Sequence, residues 1–341
     1  MPGRRGDPAP VKIAGAEYGG PRGRAWSWIL GTALGAVLLY FSLRGVDWKR
    51  IWSTIAGAQW RFLAAAAALT CCSFFMRSLR WRILLNAEGH LGVGTVFRAT
   101  MAGYLGNALL PARAGELVRT VVISSRSSLS KTYVLTTALS ERLMDAIALV
   151  LWSSLILLAV DPKPRWMEDL SRTTAVMAAA GALAIALLPH TGGVCRGVLQ
   201  RIPLPSALRN RLLLLVDQVL LGVRAFHNVG RLLGFAALTV VIWTSDACTT
   251  MMAARALGLH LSFTVAMLLL AALGLGSALP STPGYVGIYQ FVAVTVLVPF
   301  GIGRDAALAY ILVAQALGYV VLLLLGLPCV YRLGTAGSPK S

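Results

Sequence analysis

The sequence predicts an all-α polytopic membrane protein with about six full transmembrane helices and two broken re-entrant helical hairpins in an inverted-repeat arrangement. The first observation is composition: 57% of the 341 residues are hydrophobic, 13% are charged and the mean hydropathy is +0.72. A soluble domain carries about 25% charged residues, so this chain could not cover its surface in water. The second observation is a series of long apolar runs, and the third is the clustering of basic residues between them.

The net charge of +18 does not indicate nucleic-acid binding, although 31 basic residues outnumber 13 acidic ones. The basic residues form no single face or tail, and their positions beside apolar runs suit anionic lipid headgroups. The five cysteines and four histidines show no metal-ligand spacing. We therefore expect no nucleic-acid partner, no metal site and no cofactor.

Six apolar runs predict full transmembrane helices, because a helix of about 20 residues crosses a hydrocarbon core of about 30 Å. The runs are 27–43, 60–79, 133–160, 173–190, 232–256 and 305–331. They define one transmembrane domain over 26–332, between a disordered basic tail at 1–25 and a short tail at 333–341. The amphipathic stretch within 196–230 predicts a cytoplasmic linker.

Two further apolar regions, 95–125 and 261–300, are interrupted by glycine and proline. The first is broken at 106–107 and again over 110–116, and the second is broken most sharply over 280–284. Proline removes a backbone donor and glycine weakens a helix, so both helices should break. Broken backbone is tolerated at membrane depth only inside protein or beside a wet cavity. Each region therefore predicts a hairpin of two half-helices that enters and leaves on the same side.

The distribution of lysine and arginine predicts the orientation. With both termini in the cytoplasm, basic residues in the inner segments outnumber those in the outer segments by more than two to one. The first hairpin would then enter from the cytoplasm and the second from outside, which makes the halves 60–160 and 232–331 inverted repeats. In transporters of that design, matching Gly/Pro-interrupted segments indicate the binding site. The predicted location is the cytoplasmic membrane.

The first hairpin contains four candidate headgroup-binding residues, Asn107, Arg113, Glu116 and Arg119. The last three alternate in charge at three-residue spacing, so on a helix Glu116 would lie between two guanidinium groups. Arginine binds phosphate through a planar fork of donors, and a helix beginning near Ala114 would add backbone donors and a favourable dipole. The alternative is a cytoplasmic salt-bridge cluster that holds the hairpin closed.

The span 133–160 contains Glu141, Arg142 and Asp145, which are also candidate substrate-binding residues. Charge at membrane depth costs about 2.5–3.5 kcal/mol per residue on insertion scales, so it usually serves function. The spacing predicts an Arg142–Asp145 pair within the helix, which leaves Glu141 without a local partner and makes it the best candidate for proton exchange. The alternative is a structural role close to the cytoplasmic headgroups.

The second hairpin contributes the candidate substrate-binding residues Ser281, Pro283, Gly284, Tyr285 and Gln290. It contains no charged residue up to position 303. Its glycines would let another backbone segment or a lipid tail approach closely. The alternative is a tight turn in which the glycines serve packing alone.

Four segments occur in an order that resembles a known family. They are Arg77–Leu85, Gly106–Arg119, the Glu141-Arg142 pair with Asp145, and Pro280–Gly287. They are similar to the flippase-like transmembrane family typified by the membrane half of lysylphosphatidylglycerol synthases, over roughly residues 30–330. This resemblance implies a protein that moves a lipid with a polar headgroup between leaflets.

The chain departs from that family in two respects. No region resembles the soluble aminoacyl-transfer domain of the synthases, so the resemblance implies a stand-alone member. The family often has an acid after the second Pro-Gly turn, where this chain has Gln290. The chain also lacks the Gly-x-x-x-x-Gly-Lys-Ser/Thr, His-Glu-x-x-His and Gly-x-Ser-x-Gly motifs. We therefore expect a transporter rather than an enzyme.

The predicted substrate is an anionic phospholipid, an aminoacylated phospholipid or a polyprenyl-phosphate-linked lipid, whose headgroup crosses through a charged midplane cavity. A separate lipid-modifying enzyme is a further candidate partner, and the oligomeric state stays open. One alternative is a membrane-embedded transferase acting on a polyprenyl phosphate, which the short basic loops disfavour. The other is a non-transporting partner of an envelope-lipid enzyme.

Overall fold

The computed structural model describes residues 33–109, 114–159, 228–277 and 283–335, together with single positions between 176 and 213. The regular secondary structure of these residues is helical. Three of their helices are long and apolar enough to cross a membrane, namely Trp60–Leu85, Val229–Ala256 and Arg304–Gly334. The chain is therefore a multi-pass membrane protein.

The described residues form ten helices, which we number in chain order. They are α1 Ala33–Leu43, α2 Trp48–Ala56, α3 Trp60–Leu85, α4 Val93–Leu109, α5 Gly115–Ser124, α6 Lys131–Ala159, α7 Val229–Ala256, α8 Phe263–Gly276, α9 Ile288–Leu297 and α10 Arg304–Thr335. Side-chain caps mark several of the starts, because Asp47, Asn228 and Ser262 accept hydrogen bonds from the backbone at the beginnings of α2, α7 and α8.

Helices lie at the predicted spans wherever the structure describes them, and α3, α7 and α10 are the ones long and apolar enough to cross a membrane within the described ranges. Helices α3, α6, α7 and α10 contain or nearly match the runs 60–79, 133–160, 232–256 and 305–331. Helix α1 covers the later part of the run 27–43. The span predicted at 173–190, the tail 1–25 and most of the linker 196–230 lie outside the described residues.

Helices α3 and α7 lie side by side and run antiparallel. The backbone N–H of Gln59 donates to the carbonyl oxygen of Ala256 at 2.8 Å, at one end of the pair. In the middle, Ser73 Oγ donates to Asp246 Oδ1 at 2.6 Å. Towards the other end, Gly234 faces Ile83. A small residue at this contact lets the helices approach closely, as in other membrane bundles.

The broken region 95–125 forms a hairpin of α4 and α5. Gly103 and Gly106 pack directly against Gly115, and a β-carbon on Gly115 would overlap the carbonyl oxygen of Gly103. Asn107 Oδ1 accepts a hydrogen bond from Gly115 N at 2.9 Å, which satisfies a donor at the start of α5. The two half-helices therefore need glycine at their contact and asparagine at the turn.

The broken region 261–300 forms a second hairpin of α8 and α9. Gly287 has φ +91° and faces α1. A β-carbon added to Gly287 would overlap the carbonyl oxygen of Gly35 on α1. Gln290 Oε1 accepts from Gly287 N at 2.7 Å, and Gln290 Nε2 donates to Gln315 Oε1 at 2.7 Å. Gln315 Nε2 donates in turn to Gly284 O at 3.0 Å. These side-chain amide hydrogen bonds, here called the amide network, hold the turn that precedes α9 against helix α10.

Two apolar clusters surround these elements. The larger involves mainly α7 to α10 and includes the fully buried Leu269, Leu297 and Leu308. The smaller joins α3 to α6 around Trp81 and Ile123. Because lipid tails are as apolar as leucine, close packing rather than water exclusion stabilises such clusters inside a membrane.

Candidate functional site

A cavity of about 470 Å³, here called the hairpin cavity, lies where the two broken hairpins meet. Asn107 and Ala108 line it from the end of α4, and Ser277, Gly284 and Tyr285 line it from the second hairpin. Helices α3, α6, α7 and α10 complete its wall. Described residues next to both breaks therefore border this cavity, as expected where helices are interrupted at membrane depth.

One ion pair of the cavity wall joins α3 to α7. Arg77 Nη2 donates to Asp246 Oδ2 at 2.5 Å, and the other carboxylate oxygen of Asp246 accepts from Ser73 Oγ at 2.6 Å. The Arg77 guanidinium also lies 5.8 Å from the ring centroid of Trp243. Both charged side chains are mostly buried by their neighbours but line the cavity. Their exposed polar atoms therefore face the cavity.

The second cation of the cavity wall is Arg142 on α6. Its Nε donates to Glu116 Oε1 at 2.8 Å, and its guanidinium lies 5.9 Å from the ring centroid of Tyr104. About 40% of the Arg142 side chain is exposed, against 3% for Arg119. Arg142 is thus held in place on one side while it faces the cavity on the other.

Behind this wall lies a row of six alternating charges, which we call the charge chain. Its members, in order of contact, are Asp145, Arg80, Glu141, Arg119, Glu116 and Arg142. Three cations and three anions leave it with no net charge. Its ends differ, because only Arg142 lines the hairpin cavity.

The buried middle of the charge chain is tightly bonded. Arg80 gives Asp145 a two-pronged contact, with Nη1–Oδ1 at 2.6 Å and Nη2–Oδ2 at 2.9 Å. The two oxygens of Glu141 accept separately, from Arg80 Nη2 at 3.0 Å and from Arg119 Nη1 at 2.9 Å. Arg119 also pairs with Glu116 at 2.5 Å, and its guanidinium lies 4.5 Å from the ring of Trp81. Such pairing offsets the cost of burying charge.

The charge chain corrects two predictions about α6. Arg142 does not pair with Asp145, because Asp145 pairs with Arg80 and Arg142 pairs with Glu116. Glu141 is not without a partner, since it lies between Arg80 and Arg119. Spacing within one helix identified possible neighbours, but cations from α3 and α5 approach these carboxylates with better geometry.

The structure separates the predicted site residues into groups. Four of them line the hairpin cavity, namely Asn107, Arg142, Gly284 and Tyr285. Four others belong to the charge chain outside the cavity lining, namely Glu116, Arg119, Glu141 and Asp145. Gln290 belongs to the amide network of the second hairpin. Pro283 begins the short turn before α9, and Arg113 and Ser281 lie outside the described residues.

The turn that lines the cavity has unusual backbone geometry. Tyr285 has φ +59°, and it is the non-glycine residue with positive φ within the described ranges. Such a conformation costs about 1–3 kcal/mol and is retained where the surroundings over-determine it. The Tyr285 ring stacks on Tyr289 with centroids 4.8 Å apart and planes 9° apart. The strained turn therefore presents a flat aromatic surface beside the cavity.

Several cavity residues were not identified as candidates from the sequence. The most prominent are Arg77, Tyr104, Asp246, Gln315 and Tyr319. A lone acid within an apolar run was an available signal for Asp246, whose partner Arg77 lies 169 residues away. Among the described residues, no group of three or more histidines, cysteines or acidic side chains could hold a metal ion.

The fold and this cavity define a helical membrane protein with a charged, partly enclosed interior. The family model of the lysylphosphatidylglycerol synthase TM region matches residues 28–326, so the chain belongs to that family. This match confirms the family resemblance found in the sequence motifs.

A curated relative is similar over most of the chain. Glycosyltransferase AglD from Haloferax volcanii is 26% identical over 323 residues, which cover 85% of this chain and 49% of that protein. The chain therefore spans about half the length of the relative. Together, the family and the relative support a membrane function connected with lipids.

Proposed function

We propose that this protein translocates a lipid with a phosphate-containing polar headgroup across the cytoplasmic membrane, and that the headgroup passes through the hairpin cavity. The observation that carries this proposal is the placement of Arg77 and Arg142 in the wall of a cavity bordered by both broken hairpins. Guanidinium groups bind phosphate with paired donors. Charged side chains inside a membrane usually serve such a path.

The chemistry of the wall suits a phosphate that must bind and then leave. Arg77 and Arg142 already have carboxylate partners, Asp246 and Glu116, at 2.5 and 2.8 Å. A phosphate oxygen would share donors with these carboxylates rather than meet a bare cation. Binding would then be favourable but moderate, as a transported ion requires.

The proposed roles follow from position. Arg77, Arg142, Asn107 and Tyr285 contact the headgroup, because they line the cavity. The buried members of the charge chain hold Arg142 in place through Glu116. We also propose Arg113 and Ser281 as headgroup contacts, since each belongs to a Gly/Pro-rich break predicted from the sequence.

We propose that the two parts of the chain are inverted repeats with both termini in the cytoplasm. Two observations support this arrangement: α3 and α7 run antiparallel, and each is followed by a broken hairpin. In transporters of this design the two repeats move against each other around a fixed site. The hairpin cavity would then open alternately to the two leaflets.

Transport in proteoliposomes tests the proposal. Purified protein is reconstituted with a headgroup-labelled anionic phospholipid, and the appearance of label in the opposite leaflet is timed. Wild-type protein should exceed protein-free liposomes, and Arg142→Gln should reduce the rate by about ten-fold or more, as for the loss of one charged hydrogen-bonding group. Arg98→Gln is the matched control, because Arg98 lies on α4, which contributes Asn107 to the cavity, but does not itself line the cavity.

Equal rates for protein-free and protein-containing liposomes, with every lipid offered, would contradict the proposal. The name of the relative favours one second candidate, transfer of a sugar from or to a lipid. That activity would convert the lipid chemically, so mass spectrometry of the recovered lipids distinguishes it from transport. A separate lipid-modifying enzyme remains a proposed partner that would supply or consume the lipid.

A further inference from the structure

The lining of the hairpin cavity is rich in tyrosine. Five tyrosines contribute to the wall: Tyr104, Tyr285, Tyr289, Tyr310 and Tyr319. Lipid tails need no aromatic partners, since leucine suffices for contact with hydrocarbon. Tyrosine combines a flat apolar face with a polar tip, which suits a ligand that is itself flat-faced and hydroxylated.

The stacked pair Tyr285–Tyr289 gives these rings a specific geometry. The ring planes differ by 9°, and the backbone of Tyr285 is held at φ +59° beside two glycines with positive φ, Gly284 and Gly287. Hydrogen bonds from Gly287 N to Gln290 and from Gln315 to Gly284 O hold the turn in place, and the two glutamine side chains bond to each other. A fold that keeps a strained backbone to present an aromatic pair indicates use of that surface.

Amide groups lie at the edge of the same cavity. Gln315 donates one N–H to Gly284 O and its Oε1 accepts one hydrogen bond from Gln290. A side-chain amide has two donors and two acceptor sites, so Gln315 can still donate one hydrogen bond and accept one. Asn107 uses its oxygen on Gly115 N, and its amide nitrogen donates to no other group in the described part of the chain. Side-chain amides of this kind pair with hydroxyl groups, which both donate and accept.

The charges of the cavity wall exclude one headgroup class and favour another. Arg77 and Arg142 give two positive charges, and Asp246 gives one negative charge that Arg77 and Ser73 already occupy. Arg142 in turn pairs with Glu116, which lies outside the lining, so both guanidinium groups of the wall have a carboxylate partner. A phosphodiester carries a single negative charge, so it can share donors with these carboxylates without displacing either of them. An aminoacylated headgroup with added ammonium groups finds no unoccupied carboxylate among the described residues of this lining.

Building on the proposed translocation, we propose that the transported headgroup is a phosphodiester that carries a polyhydroxylated six-membered ring. The phosphate binds at Arg77 and Arg142, the ring lies against Tyr285 and Tyr289, and its hydroxyls bond to the side-chain amides. The polarised C–H bonds of a ring face are attracted to the negative face of an aromatic ring. A cavity of about 470 Å³ lies within the range of about 300–1,000 Å³ usual for ligands of this size.

Two lipids carry this chemistry: a hexose on a polyprenyl phosphate, and inositol on a glycerophospholipid. Binding to the purified full chain, measured by competition in native mass spectrometry, distinguishes them. The competitors are a polyprenyl phosphoryl hexose, phosphatidylinositol, phosphatidylglycerol and lysylphosphatidylglycerol. At least one ring-bearing lipid should bind about ten-fold or more tightly than both others, and the preferred one identifies the source.

Variants of Tyr289 test the role of the aromatic surface. Tyr289→Ala should weaken binding of the ring-bearing lipid by about three- to ten-fold more than it weakens phosphatidylglycerol binding, whereas Tyr289→Phe should keep the preference. If Tyr289→Ala does not fold, the selectivity of the wild-type protein still decides the proposal. Equal or tighter binding of phosphatidylglycerol or its lysyl ester would overturn it.

The binding assay separates this inference from the proposed function. Translocation without preference for a ring-bearing headgroup would overturn the inference and leave translocation standing. Selective binding of the ring-bearing lipid without any translocation would overturn the proposed function and leave the headgroup assignment standing.

Discussion

Replacing Arg80 with methionine tests whether the charge chain holds the first hairpin to the spans. The Arg80 side chain is fully buried and gives three hydrogen bonds to the carboxylates of Asp145 and Glu141. Methionine keeps much of the volume but removes the charge. Glu141 then retains Arg119, whereas Asp145 retains no ion-pair partner at contact distance among the described residues and interacts with Arg77 and Arg142 only at longer range. An uncompensated buried carboxylate should lower the free energy of unfolding by about 3–5 kcal/mol.

A double-mutant cycle makes this prediction specific. Asp145→Asn alone should cost less than Arg80→Met, because Arg80 keeps its bonds to Glu141 and Thr239. The double variant removes the unpaired carboxylate, so it should be more stable than Arg80→Met alone by about 0.5–3 kcal/mol. Arg61→Met, at an exposed position near the start of the same helix, should stay within about 0.5 kcal/mol of the wild type.

Unfolding of the purified protein by denaturant in mixed micelles, followed by tryptophan fluorescence, measures these differences. Arg80→Met should unfold at a clearly lower denaturant concentration than Arg61→Met. The reasoning is refuted if these two variants unfold together, or if the double variant is no more stable than Arg80→Met.

Three further predictions concern α6, the second hairpin and the orientation. Glu141→Gln should reduce stability and leave the pH dependence of transport in liposomes unchanged, because both carboxylate oxygens already bind guanidinium groups; a shifted profile would restore a proton-exchange role. Gln315→Ala should increase hydrogen exchange over 283–290 and not in α3, since it removes the bond to Gly284 O; equal exchange would show that the amide network does not fasten the turn. A cysteine at Glu168, in a variant without native cysteines, should react with an impermeant thiol reagent from outside; labelling from the cytoplasmic side alone would contradict the orientation.

The helices and their breaks were predictable because they depend on local properties. Length and apolar character are sufficient to identify α3, α7 and α10 as spans. Glycine and proline positions indicated both broken hairpins, and the predicted helix start near Ala114 agrees with the observed start of α5 at Gly115. These features need no knowledge of neighbours distant in the chain.

The partners of the charged residues were not predictable in the same way. Arg80 meets carboxylates more than 60 residues away, and Arg77 meets Asp246 on a helix of the other half. Such contacts are set by how helices pack, which a single sequence does not show. The spacing of Arg142 and Asp145 suggested a local pair that packing then replaced.

The role of Gln290 was also not predictable from the sequence. The family often has an acid at this place, so the sequence left open a direct contact with substrate. In the structure Gln290 instead bonds Gly287 N and Gln315, which makes it a support for the cavity-lining turn. The positive φ of Tyr285 was equally hidden, because tyrosine has no special preference for that conformation.

Filling the hairpin cavity with a bulky side chain shows whether the headgroup passes through it. Ala314→Trp would place an indole in the cavity wall, whereas Val320→Trp adds the same side chain at an exposed position of the same helix. Both variants are compared with wild-type protein for lipid translocation in proteoliposomes, at equal reconstitution and with thermal stability measured in parallel. If the headgroup passes through the cavity, Ala314→Trp blocks translocation while Val320→Trp transports at the wild-type rate. A folded Ala314→Trp variant that translocates lipid as fast as Val320→Trp would contradict passage through the cavity.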